Sequence, residues 1–169
     1  MHEKTEVLSL MIENWKSIKD YPKYSVSDLG RVKRNFILKP YDIKGYSFVH
    51  LYHTSRKKVH KTVHSLVLST FKQNPKPDFY TCVDHINRNT KDNRLMNLRW
   101  SNARLNGLNS NARGFSFCKK SNKFHAQIMI NGRGKLLGLF KYSVNARRAY
   151  LEAKREALKK LDPDQKYDV

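Results

Sequence analysis

The chain opens with short, alternating stretches. Residues 13 to 62 read as strands and turns rather than helix. Tyr24-Ser25-Val26-Ser27 alternates, and Asp28-Leu29-Gly30 is a turn. Arg31 to Leu38 resumes strand character, and Pro40 closes it. Gly45 to Tyr52 is a stronger strand, rich in aromatic and β-branched residues. The basic turn Ser55-Arg56-Lys57-Lys58 leads to a partner strand, Val59 to Thr62. Val63, Leu66, Val67 and Phe71 then fall at helical spacing, and Asn74-Pro75-Lys76-Pro77 stops that helix.

Residues 79 to 86 form a second apolar stretch, and Asn87 to Asn93 is polar and turn-rich. Leu95 to Trp100 recovers strand character. Ser101 is placed to cap a short helix carrying Ala103, Leu105 and Leu108. Phe124, Ala126, Ile128 and Ile130 alternate with His125, Gln127 and Met129, a period of two. Asn131-Gly132 is a hairpin turn, and Lys135 to Lys141 returns as a strand. Ser143 is placed to cap a last helix with an apolar stripe of Ala146, Ala149, Tyr150, Ala153, Ala157, Leu158 and Leu161. The expected class is α+β. Asn106 to Arg113, rich in Asn and Gly, is the one linker candidate, and no internal repeat is visible.

Charge changes the picture. The 169 residues carry 34 Lys+Arg against 14 Asp+Glu, a formal charge of +20. More than half of that excess, +11, falls in residues 113 to 160, where it alternates with aromatics. A field of that sign suits phosphate polymers and disfavours an ordinary enzyme of small metabolites. Hydrophobic residues at 39% and aromatics at 11% argue against disorder. No apolar run approaches the roughly 20 residues of a membrane helix, and the start of the chain does not read as a signal peptide. Cys82 and Cys118 form neither a CxxC pair nor a disulfide framework, so a structural zinc site is not expected. The expectation is an intracellular chain that faces nucleic acid and no membrane.

The densest polar constellation is Cys82 to Asn87, then Asn93 to Trp100, then Asn106. On an ideal strand Asp84 and His85 point to opposite faces, though at a strand end both can reach one cleft. A carboxylate and an amide oxygen are hard ligands that suit Mg²⁺ or Mn²⁺. A neutral His beside them is a natural general base for water. On spacing alone an ordinary turn pair, with Asn106 as a cap, is the favoured alternative.

Val83-Asp84-His85-Ile86-Asn87, with Asp92 to Trp100, strongly resembles the HNH nuclease motif of the β-β-α metal fold. Val63 to Val67, with Phe71 and Pro75, resembles the helix that precedes the motif in phage homing endonucleases. The likeness covers about residues 59 to 110. It implies that Asp84 is a metal ligand, His85 the general base, and Asn97 the Asn that braces the loop and holds the His. Asn106 then stands where many members have His. This H-N-N variant implies Asn106 as second ligand and one Mg²⁺ or Mn²⁺, without structural zinc.

Trp15 to Ile18, with Tyr24 to Val32, resembles a small DNA-associated module found before such nucleases, with Arg31, Lys33 and Arg34 on its rim. Arg113-Gly114-Phe115, Lys123 to Ile128, Leu137 to Phe140 and the helix at Ala146 to Tyr150 resemble the APETALA-two DNA-binding domain, a three-stranded antiparallel sheet packed on one helix. Phe124 stands where Trp is common there. Arg113, Lys119, Lys123, His125, Gln127, Arg133 and Lys135 are its candidate DNA contacts, the last six expected on the sheet's outer face. The resulting picture has three modules: 13–58 N-terminal and β-rich, 59–110 nuclease core, 113–161 DNA reader. The implied activity is metal-assisted hydrolysis of double-stranded DNA by a homing-type enzyme that nicks as a monomer, in the cytoplasm of an infected bacterium if phage-encoded. A DNA-binding regulator with an inactive nuclease core, or an RNA-binding protein, are the rival readings.

Overall fold

In the computed structural model, residues 12–53, 55, 57–165 and 167 are described. The chain is α+β, built of several small antiparallel sheets and few helices. It divides between Asn102 and Ala103 into two compact units. No helix among the described residues is long and apolar enough to cross a membrane.

The first unit begins with strands β1 (Trp15–Ile18), β2 (Tyr21–Ser27) and β3 (Val32–Lys33), in that order. β3 is far shorter than the stretch expected from Arg31 to Leu38. The chain folds back at once: Lys33 bridges Ile37, and Leu38 N donates to Val32 O at 2.8 Å. A second sheet follows in the order β4 (Tyr41–Ile43), β5 (Tyr46–Tyr52), β6 (Lys58–Thr62). Helix α1 (Val63–Phe71) runs straight on from β6, on the expected stripe. Then β7 (Cys82–His85) and β8 (Leu98–Ser101) pair antiparallel. Leu95 to Asn97, expected as strand, form a 3₁₀ turn, so the strand starts three residues late. Ser101 is fully buried as the last residue of β8 and is not the cap of the following helix.

These elements share one core. Val26, Val49, Leu51, Val63, Val67, Leu68 and Leu98 are all at most 2% exposed within it. Each comes from an alternating strand position or the helical stripe, so one apolar cluster holds both N-terminal sheets and the hairpin together.

The second unit starts with the short helix α2 (Ala103–Leu108). Strands β9 (Phe115–Cys118), β10 (Lys123–Ile130) and β11 (Arg133–Phe140) form an antiparallel sheet with β10 central. Helix α3 (Ser143–Leu161) buries Ala146, Tyr150, Ala157 and Leu158. Ser143 is its first residue; the cap position is Tyr142, which makes no side-chain cap bond. The stripe also contains a lysine: Lys154 is 3% exposed, and its ammonium donates to Ser110 O at 3.3 Å.

Gly114 shows why its position cannot carry a side chain. Its φ is +77°, and a Cβ there would lie 2.0 Å from the Tyr150 ring. Gly114→Ala therefore combines left-handed strain with overpacking, at an expected cost of roughly 2–4 kcal/mol. Chemical denaturation followed by circular dichroism checks this, and an unchanged midpoint would contradict it.

Candidate active site

β7 places Asp84 and His85 at successive positions, and both are only 4% exposed. At this strand end the two side chains find separate partners. Asp84 stands directly across from Arg99 of β8. Its Oδ2 accepts from Arg99 Nε at 2.9 Å and from Nη2 at 2.7 Å. Arg99 is 9% exposed, so this is a buried charge pair. Two charge-assisted bonds from a rigid guanidinium hold the carboxylate in one orientation.

His85 meets different neighbours. Its ring lies edge-on to His64 of α1, with centroids 5.1 Å apart, and 6.2 Å from the Tyr46 ring. Its Nε2 lies 3.3 Å from Asn93 Oδ1. Among the described residues, His64 Nδ1 is the one buried side-chain nitrogen or oxygen without a hydrogen-bond partner. Burial, with His85 close by, pushes the His64 pKa down to about 4. His64 is therefore neutral at ordinary pH and adds no charge beside His85.

The loop between β7 and β8 is braced throughout. Ile86 N donates to Asn97 O at 2.8 Å. The Asn97 side chain accepts from Asn87 N at 2.9 Å and donates to Asp92 O at 2.7 Å. Asn87 Nδ2 donates to Asp92 Oδ2 at 2.9 Å, and Arg94 grips the same carboxylate through Nε and Nη2. The Arg94 hydrogen bond holds Asp92 down to about 2. Asn97 thus ties Asn87 to Asp92 within the loop, while the amide that meets His85 Nε2 is that of Asn93.

Both N-terminal sheets grip this loop. Leu95 N donates to Asp28 O at 2.7 Å. Gly30, with φ of +83°, packs so close that an added Cβ would lie 2.9 Å from Asn93 O. From the second sheet, Thr90 Oγ1 donates to Gly45 O at 2.8 Å, and Asp42 pairs with Lys91. Asn93 is therefore held from behind by the β2–β3 turn.

Asn106 is exposed on α2, which belongs to the second unit, whereas Asp84, His85 and Asn97 belong to the first. Among the described residues no group of three or more His, Cys, Asp or Glu gathers to bind a metal. Within the first unit, the Asp84 carboxylate is the kind of hard oxygen donor that Mg²⁺ accepts, and it is already bonded by Arg99. Cys82 does not add a soft ligand, because burial pushes its thiol up, away from thiolate.

The basic rim of the first sheet is built on aromatics. Lys33 Nζ lies 4.0 Å from the Trp15 ring centroid, and Arg34 lies 5.8 Å from that of Tyr24. Arg31 is exposed and bonds Glu13. In the second unit Arg113, Lys119, Lys123, Gln127, Arg133 and Lys135 are exposed, and His125 is half-buried beside Ser121 at 2.9 Å. They do not share one face. The turn at Asn131-Gly132 sets Arg133 opposite Ile130 and Lys135 opposite Ile128, while Gln127 is opposite Leu136. Directly opposed residues point to the same face. Arg133 and Lys135 therefore lie on the face of Ile128, and the outer face instead joins Lys123, His125 and Gln127 to exposed Met129, Leu136 and Leu139.

Arg99 and His64 are site residues that the sequence reading missed. Arg99 was legible as the hairpin partner of Asp84. His64 stood out as the one ionisable group inside the apolar pattern of α1.

Comparison with known proteins places these observations in context. Residues 13–52 match the NUMOD4 motif family. An uncharacterized HNH endonuclease of Acanthamoeba polyphaga mimivirus is 38% identical over 104 residues, which is 59% of this chain and 26% of that protein. The chain thus spans about a quarter of that relative's length. Among solved structures, the HNH homing endonuclease I-HmuI, studied for its DNA binding and cleavage, is similar at 28% identity with a TM-score of 0.54, over 73% of this chain and 76% of that one.

The His64 environment has a measurable consequence. The unfolded chain protonates this residue near pH 6.5, the folded one only near 4. Its contribution to stability is therefore lost as pH falls through that window. His64→Phe, which keeps a ring, should show a shallower decline of Tm between pH 7 and 4.5 than the wild type. Parallel declines would contradict the burial of a neutral imidazole here.

Proposed function

We propose that this chain is a DNA endonuclease of the HNH homing type, hydrolysing one phosphodiester bond per encounter and so nicking as a monomer. The observation that carries the reading is the buried Asp84–His85 step on a braced β-hairpin, with each side chain fixed by its own partner. The similarity to HNH endonucleases supports it.

His85 is the general base. With Asn93 Oδ1 as the acceptor, a proton on His85 Nε2 would leave the lone pair on Nδ1. Nδ1 takes the proton of the attacking water as its oxygen bonds to phosphorus. His64, neutral and packed edge-on, orients the ring without raising the cost of charging it. Asn97 holds the loop that carries Asn93. Asp84 would offer its carboxylate to Mg²⁺ or Mn²⁺. When bound, the cation would stabilise charge on the phosphate and the leaving 3′ oxygen. Arg99 keeps the Asp84 carboxylate aimed. Products would carry 5′-phosphate and 3′-hydroxyl ends.

The +20 charge supplies affinity for the DNA backbone. Arg31, Lys33 and Arg34 would contact phosphates from the first unit. The sheet of the second unit, read as an APETALA-two-like DNA reader, would contact DNA through Arg113, Lys119, Lys123, His125 and Gln127. Arg133 and Lys135 would serve at its edge.

Supercoiled plasmid with Mg²⁺, repeated with EDTA, tests the reading. Nicking that EDTA abolishes is expected, while binding without nicking would favour a regulator with an inactive core. Asp84→Asn preserves the shape beside Arg99, whereas Asp84→Ala would strand a buried guanidinium. Asp84→Asn should therefore raise the Mg²⁺ needed for half-maximal nicking, because it removes an anionic ligand. An unchanged Mg²⁺ requirement would refute Asp84 as a ligand.

A further inference from the structure

The first unit contains a cleft that the proposed chemistry does not use. It has a volume of about 580 Å³ and is lined by Tyr21, Lys23, Tyr24, Arg34, Tyr52 and His53. Tyr21 and Tyr24 are buried, while Tyr52 is 49% exposed. The Tyr24 hydroxyl accepts from Tyr52 N at 3.2 Å, which ties the Tyr24 ring to the backbone of β5. Cations lie over both buried rings: Arg34 is 5.8 Å from the Tyr24 centroid, and Lys61 Nζ is 5.9 Å from that of Tyr21.

The exposed Tyr52 ring and the basic Lys23 and Arg34 in one lining match one ligand chemistry in particular. A nucleobase offers a flat π surface to the exposed Tyr52 ring, and its phosphate offers charge to Lys23 and Arg34. The volume falls within the roughly 300–1,000 Å³ of small-ligand sites, enough for one nucleotide. A base paired inside a duplex cannot reach such a cleft; it must first leave the stack. A second feature of the same strand end fits that requirement. Phe36 is 72% exposed, and its carbonyl accepts from Arg34 N at 3.1 Å. An exposed aromatic flanked by Lys33, Arg34 and Lys39 suits a wedge at an opened base step.

We propose that this cleft binds a single unstacked nucleobase of the DNA. The inference rests on the DNA reading given above and deepens it: the first unit would sense local opening of the duplex as well as phosphate charge.

The test uses the full chain in EDTA, so that binding is read without cleavage. The probes are a duplex with 2-aminopurine as a one-nucleotide bulge and the same duplex fully paired. The bulged duplex should bind on the order of 10-fold tighter, the gain of one base–aromatic stack, and its fluorescence should be quenched on binding. Tyr52→Ala should lose both effects. Tyr52→Phe should keep both, because the ring is retained, and it also controls for folding. Equal affinity for the two duplexes, or a preference that survives Tyr52→Ala, would overturn the assignment. Failure to bind either duplex would instead overturn the DNA reading beneath it.

Discussion

An acid and a base at successive positions of one strand end are both nearly buried and need different partners, and the first unit is organised around that constraint. Asp84 turns to Arg99 across the hairpin, while His85 turns to α1 and to the loop. Neither side chain is left to solvent, so each needs its own polar partner in the protein. The cost of that burial is met by geometry: a bidentate guanidinium on one side, an amide and a neutral imidazole on the other. Removing one member of the Asp84–Arg99 pair would leave the other charge buried alone, which is worse than removing both.

The same constraint explains why the N-terminal strands matter to a site they do not contain. The amide facing His85 belongs to Asn93, in a loop that has no regular ladder of its own. The β2–β3 turn supports it through Gly30 and Asp28, and the β4–β5 turn through Gly45 and Asp42. Asn97 and the Asn87–Asp92–Arg94 network close the loop from inside. Two sheets distant in sequence thus clamp the loop whose Asn93 amide meets the His85 ring.

Much of this was legible from residues alone. Periodicity located α1, β10 and α3 because their apolar positions meet a core. It failed at Arg31 to Leu38 and at Leu95 to Asn97, where local turns took precedence over strand propensity. Ser101 was misread as a cap because a strand end and a helix start lie only two residues apart. The face assignment of Arg133 and Lys135 followed composition instead of register, although the two-residue turn at Asn131-Gly132 already fixes it. Partners of the site behaved likewise: Asn97 was visible in the motif, whereas Asn93 and His64 depend on contacts between elements that no spacing rule encodes.

The assignment of His85 as the base is the claim on which the rest turns, and single-turnover nicking of supercoiled plasmid by His85→Ala addresses it most directly. With Mg²⁺ saturating and DNA binding measured in parallel, the account predicts that affinity for the plasmid is retained. The nicking rate should fall by at least the roughly 10²–10⁴-fold associated with loss of a general base. Nicking by His85→Ala at close to the wild-type rate would contradict it.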